Sequence, residues 1–143
     1  MFNVRAYGLW ESGGHLLASR EVVKGRTLLK FPGGGVEFGE GPADTVVREF
    51  EEEMGLKVEV VGHVYTTDFY VPSFLDPKDQ VISIYFQVRP LAEFEASQPG
   101  LKSREEGQEL HWIDWKGIPS DTFPLPIDRV VLEKLQSGSL RLS

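Results

Sequence analysis

Apolar residues recur along this chain with two different periods. "FNVRAYGLW" (2–10) and "HLLASREVV" (15–23) read as two strands about the turn Ser12-Gly13-Gly14. "TLLKF" (27–31) is a short strand stopped by Pro32 and three glycines, and "VEF" (36–38) reads as another. "KVEVVGHVYTTDFYV" (57–71) alternates and is rich in β-branched and aromatic residues, as strands are. "QVISIYFQV" (80–88) carries the strongest strand signal, and "ELHWIDW" (109–115) predicts one more.

The helical period governs two stretches. Pro42 suits a first helical turn and Gly55 a left-handed stop, so a helix is predicted over about 42–54. Ala43, Val47, Phe50 and Met54 make one apolar stripe along it. "PIDRVVLEKLQSG" (126–138) predicts a closing helix with Ile127, Val130, Val131, Leu132 and Leu135 on its apolar side. Pro72–Asp79 and the acid-bearing Leu91–Gly107 read as loops. Strands mixed with two well-separated helices predict an α/β layered domain with a mixed sheet, as one domain over 1–143.

Composition narrows the function. A formal charge of −7 argues against nucleic-acid or anionic-membrane partners, which favour basic surfaces. A small anionic substrate stays open, because a bound metal reverses the local sign. The chain has no cysteine, which excludes disulfides, thiolate metal sites and cysteine nucleophiles, and fits a reducing cytoplasm. No stretch approaches the ~18 apolar residues of a membrane span.

The first helix carries an electrostatic oddity. Glu49, Glu52 and Glu53 share one face near its C-terminal end, where the helix dipole disfavours negative charge, while Glu51 points elsewhere. Glu49 and Glu53 also form a like-charge i, i+4 pair, which costs a few tenths of a kcal/mol. Only Arg48 is basic within the helix. A solvated charged face would intersperse lysines. Oxygens clustered against their own repulsion are what a hard divalent cation needs.

These residues belong to a longer pattern. Gly34, five residues, Glu40, seven residues, then Arg48-Glu49-Phe50-Glu51-Glu52-Glu53-Met54-Gly55-Leu56 fills every position of the Nudix box, and the chain thus resembles the MutT-like Nudix hydrolases. The resemblance implies an α/β/α sandwich with a mixed β-sheet. It implies hydrolysis of a nucleoside diphosphate linked to a second group X, with Mg²⁺ or Mn²⁺ as cofactor. By position, Glu49, Glu52 and Glu53 resemble the metal-binding carboxylates, with Glu52 and Glu53 also candidates for the base, and Gly33 resembles the glycine whose carbonyl joins the metal shell. Gly34, Arg48 and Glu40 look like supporting residues: Arg48 to orient a nearby glutamate, Glu40 to hold the loop against the helix.

Outside the box, "REEGQELHW" resembles a segment of the dGTP-cleaving members that supplies a further acid. Glu106 matches its E-G-Q glutamate and is the favoured base, with Glu109 as a second metal-shell candidate. Pro72 falls near a position of the ADP-ribose-cleaving members, although the segment also reads as a turn. Tyr65 and Tyr70 lie near positions that suggest dinucleoside polyphosphate cleavage; as strand aromatics they read as core. Ile127 stands where the dGTP-cleaving enzymes carry a base-reading asparagine, and an apolar residue there makes no bidentate contact to a purine edge. Two other functions fit the residues less well. A sensor built on a degenerate box would have lost glutamates, and none is lost. An isomerase of isopentenyl diphosphate type needs a catalytic cysteine. The expected partner is a small nucleotide substrate, and many relatives are homodimers.

Overall fold

Strand β1 (Phe2–Leu9) divides the molecule into two cores. Its side chains alternate, so Ala6 enters one core while Tyr7 and Leu9 enter the other. The computed structural model describes residues 1–92, 103 and 106–143. After β1 come β2 (Glu11–Ser12), β3 (His15–Val23), β4 (Arg26–Lys30), β5 (Gly33–Gly35), α1 (Pro42–Met54), β6 (Val58–Thr66), β7 (Gln80–Pro90), β8 (Glu109–Asp114) and α2 (Pro126–Ser137). One mixed sheet has the order β5-β1-β7-β6; β1 runs parallel to β7, and the other pairs are antiparallel. A second, antiparallel sheet is built on β3, which pairs with β2, β4 and β8.

Helix α1 covers one face. Val46, Phe50 and Met54 meet Ala6, Trp10, Leu17, Val58 and Val88. Helix α2 covers the other, where Ile127, Val131, Leu132 and Leu135 join Leu16, Phe31, Tyr85 and Phe123. This is the α/β/α arrangement expected of the sequence. Both helices stop as read, at Gly55 and Gly138, each in the left-handed conformation. At its start, α1 has half a capping box: Asp44 accepts the N–H of Gly41 at 2.9 Å, and glycine has no side chain to return the bond.

Four details differ from the sequence reading. The strand beside the first helix is Gly33–Gly35, not 36–38, because the three glycines pair with β1 in the register Tyr7↔Gly33 to Arg5↔Gly35. β1 does not hairpin with β3; the short β2 does, and β1 goes to the other sheet. The buried stripe of α1 runs through Thr45, Val46, Phe50, Glu53 and Met54, leaving Ala43 and Val47 half-buried. The strand predicted over 57–71 ends at Thr66. There the Thr67 hydroxyl accepts the Ser83 N–H at 2.8 Å in place of a backbone group. Beyond that stop Tyr70 is exposed, while Tyr65 is core. Most of the Leu91–Gly107 loop lies outside the described residues.

The close seat of α1 depends on Gly8. A Cβ there would stand 2.4 Å from the Phe50 ring and 2.9 Å from Val46, both fully buried. Gly8→Ala should therefore destabilise the protein by about 1–3 kcal/mol through overpacking. Urea unfolding measures it; an unchanged midpoint would show that α1 sits further from the sheet.

Candidate active site

The acidic face of α1 is organised around one guanidinium. Arg48 Nη1 donates to Glu49 at 3.0 Å and to Glu52 at 3.1 Å. Its Nη2 donates to Glu40 at 2.7 Å and to the Gly35 carbonyl at 3.1 Å. Glu37 lies 3.7 Å from Nη1. One cation thus offsets much of the repulsion that the sequence implies. Glu40 also accepts the Glu37 N–H and the Thr45 hydroxyl, tying the loop to the first turn of α1. The Arg48 hydrogen bonds, and then the Glu37 N–H, lower its pKa to about 2.

Glu49 and Glu53 turn inward. The Glu49 carboxylate rests against Gly34 so closely that a Cβ there would stand 2.4 Å from an oxygen. Glu53 is 4% exposed, whereas the Glu52 side chain is 58% exposed and held by Arg48. Gly33 lies in β5, beside the strand face that Glu49 touches. The box residues therefore stand together at the junction of α1 and β5. Among the described residues, no three acidic or histidine side chains close around one point. The donor chemistry fits a hard divalent cation all the same: oxygens only, two of the three acids withdrawn from water, and a glycine where a side chain would block approach.

The two acids outside the box separate. Glu106 is exposed in the turn before β8. Glu109 is not brought to α1. It pairs with His111 at 3.1 Å and lies 3.9 Å from Arg20. Along β8 it shares the side of Ile113, which belongs to the α2 core, while Leu110 and Trp112 face the α1 core. Period-2 alternation sends its carboxylate away from the box.

On the α2 side a cavity of about 440 Å³ opens, which the sequence reading did not anticipate. Asn3, Arg5 and Tyr7 of β1 and Ser83 of β7 floor it, Glu21 and Lys30 stand in its wall, and Pro72, Phe74 and Ile127 help enclose it. Behind the floor, Tyr7 stacks on Tyr85 with ring centroids 5.2 Å apart, and the Tyr85 hydroxyl donates to Asp128. Asp128 is 1% exposed, and among the described residues its other oxygen has no hydrogen-bond partner. Burial pushes its pKa up to about 7, against the opposing pull of Tyr85 and of Lys30. In the sequence, Asp128 is an acid in a first helical turn, which the helix dipole explains without a cavity.

The layers and the acid-faced helix define a protein of the Nudix class. The NUDIX domain family model matches residues 1–134, and the chain belongs to that family of pyrophosphohydrolase enzymes. It is 33% identical over 108 residues to the 8-oxo-dGTP diphosphatase of Escherichia coli K12, covering 76% of this chain and 74% of that protein. It is 32% identical over 110 residues to the ADP-ribose pyrophosphatase of Methanocaldococcus jannaschii, covering 76% of this chain and 59% of that protein. Among solved structures, a NUDIX hydrolase from Nitrosomonas europaea superposes with a TM-score of 0.76 at 18% identity, covering 98% of this chain and 92% of that one. The Escherichia coli ORF135 protein superposes with a TM-score of 0.72 at 22% identity, covering 95% and 89%. Among the described residues no helix is long and apolar enough to cross a membrane.

Asp128 gives a pH prediction. Its folded pKa lies above the ordinary 3.8, so the folded protein holds a proton that the unfolded chain releases. That contribution is complete below about pH 4 and is lost as the pH rises towards 7. Asp128→Asn keeps an acceptor for Tyr85 and carries no charge. Its Tm relative to wild type should rise by on the order of 5 °C between pH 4 and 8. A parallel pair of Tm–pH curves would show that Asp128 ionises as freely as an exposed acid.

Proposed function

We propose that this protein hydrolyses the diphosphate linkage of a nucleoside diphosphate joined to a second group X. The observation that carries the reading is the seating of Glu49 against Gly34, with Glu52 and Glu53 alongside, next to a cavity of nucleoside size. Mg²⁺ or Mn²⁺, held by Glu49, Glu52, Glu53 and the Gly33 carbonyl, would neutralise the diphosphate and lower the pKa of an attacking water. The chain's own groups supply the rest. The oxygen of that water attacks phosphorus, the bridging P–O bond breaks, and the departing phosphate takes the electron pair. A carboxylate takes the proton of the water. Glu106 is the acid we assign to this step from outside the box, by its match to the E-G-Q segment; Glu52 and Glu53 are the alternatives within it. Glu109, beside His111 and Arg20, is given no role in this step.

The relatives' names span a nucleoside triphosphate and ADP-ribose, so substrate class is open to test rather than to inference by name. Ile127 lines the cavity as an apolar wall, which disfavours purine reading by an amide at that position. Product chromatography over nucleoside triphosphates, oxidised purine nucleotides, ADP-ribose and nucleotide sugars with millimolar Mg²⁺ should reveal release of a nucleoside monophosphate or of pyrophosphate. On the best substrate, Glu53→Gln should lower kcat by ~10²-fold or more. Thermal melts should rise when Mg²⁺ or Mn²⁺ is added, because the ion binds only the folded acid cluster. No turnover across the panel, with nucleotide still bound, would replace this reading by that of a nucleotide sensor on the same fold.

A further inference from the structure

One cation of the cavity floor keeps the outer half of its fork free of direct partners among the described residues. Arg5 Nε donates to the Tyr7 hydroxyl at 2.6 Å, and its guanidinium lies 5.7 Å from the centre of that ring. Tyr7 is buried and fixed in turn by its stack on Tyr85. One side of the fork is therefore anchored. Among the described residues, no hydrogen bond engages Nη1 or Nη2 and no acid stands within ion-pair distance of Arg5; Glu49 and Asp128 act on it only from further off. The other cations in the cavity wall are committed differently: Lys30 pairs with Glu21, and Arg26 lies over the Phe74 ring at 5.2 Å.

The position of Arg5 in the sheet explains what that fork is for. Its cross-strand neighbours are Gly35 in β5 and Ser83 in β7, so neither side crowds it. A Cβ on Gly35 would be 4.0 Å from Arg5 Nη1. The carbonyl of the same glycine accepts the bond from Arg48. A single residue without a side chain therefore separates the carboxylate cluster from Arg5. Any substrate with its diphosphate at the acids and its organic group in the cavity passes across this glycine.

We propose that Arg5 grips the substrate's diphosphate at this joint, its Nη1 and Nη2 donating to oxygens of the phosphate that carries the group held in the cavity. This rests on the diphosphate reading above. A partly buried guanidinium with no acid in direct contact retains donors that an arriving anion can engage. Arginine suits the task because its planar fork matches two phosphate oxygens and never deprotonates. A phosphate is favoured over a carbonyl of the base because Arg5 adjoins Gly35, whose carbonyl is bonded to Arg48 of the acid cluster, while Arg26 is the cation beside Phe74. Tyr7 acts through Arg5 and is a positioning residue.

The test compares wild type with Arg5→Met, Arg5→Lys and Tyr7→Phe. Titration calorimetry with magnesium pyrophosphate needs no turnover. Affinity should fall about 10-fold or more in Arg5→Met and recover in part in Arg5→Lys. On the best substrate of the panel, KM should rise by a similar factor with kcat within a few-fold of wild type, and Tyr7→Phe should show the same split more weakly. Thermal melts establish that each variant is folded, and the lysine and phenylalanine variants keep the test open if the methionine one is not. Pyrophosphate titrations of wild type and every folded Arg5 variant that cannot be told apart would overturn the proposal and leave Arg5 a structural partner of Tyr7. A KM change confined to particular bases, with pyrophosphate affinity unchanged, would overturn it in favour of base reading. Wild type that cleaves nothing, yet binds pyrophosphate through Arg5, would sink the hydrolase reading and leave this one standing.

Discussion

The site depends on how closely α1 lies against the glycine strand. The Glu49 carboxylate occupies the space that a side chain on residue 34 would need. That approach is possible only because Gly34 and Gly8 both lack a Cβ, one beneath the acid and the other beneath Phe50. The apolar seat and the polar seat are thus set by the same helix position. Phe50, one residue after Glu49, fills the core and fixes the height of the helix. Glu49 then has no choice but to face the strand.

Close approach would bring repulsion without Arg48. Glu37, Glu40, Glu49 and Glu52 all lie within 4 Å of its guanidinium nitrogens, and the bond to the Gly35 carbonyl ties the helix to the strand as well. A lysine could not fill the place, since the bonds leave in several directions from one plane. This arrangement also explains why the acid face lacks interspersed lysines. One shared cation holds the acids apart from one another and leaves Glu53, buried a turn further on, facing the interior. The helix dipole remains unfavourable there, so the cluster is assembled against local stability, in keeping with a role in chemistry.

The box and the helix ends were legible because each rests on local rules. A proline at the first turn, a glycine in the left-handed stop and a fixed acid spacing all act within a few residues. What was not legible depends on partners distant in sequence. β1 pairs with β7, some eighty residues on, and nothing near Phe2–Leu9 signals that choice. The strand at Gly33–Gly35 carries no β propensity; β1 imposes it. The buried stripe of α1 includes Thr45 and Glu53, which a count of apolar residues passes over. The cavity is assembled from stretches far apart in sequence, and nothing near Arg5 in the chain marks it as part of one. Glu109 shows the same limit: its spacing from Trp112 is visible, but the face it takes is set by the pairing of β8 with β3.

The electrostatic layout follows from this two-faced sheet. Acids gather on the α1 side, whereas the cavity side carries Arg5, Arg26 and Lys30 against one lining acid, Glu21, with a strand of glycines at their junction. A chain of formal charge −7 repels a polyphosphate at long range, but that repulsion is screened within about 10 Å at ordinary ionic strength. At short range the sign differs between the two faces. A free diphosphate meets carboxylates on one side of the glycines and cations on the other. It can bridge both only if a cation accompanies it on the acid side, while Arg5 meets the charge left over on the cavity side. On this reading the phosphates are held from both faces, by the acids through their cation and by Arg5, and the group beyond them meets the rest of the cavity. Cavity residues other than Arg5 and Tyr7 can vary to suit X without disturbing the helix that carries the acids.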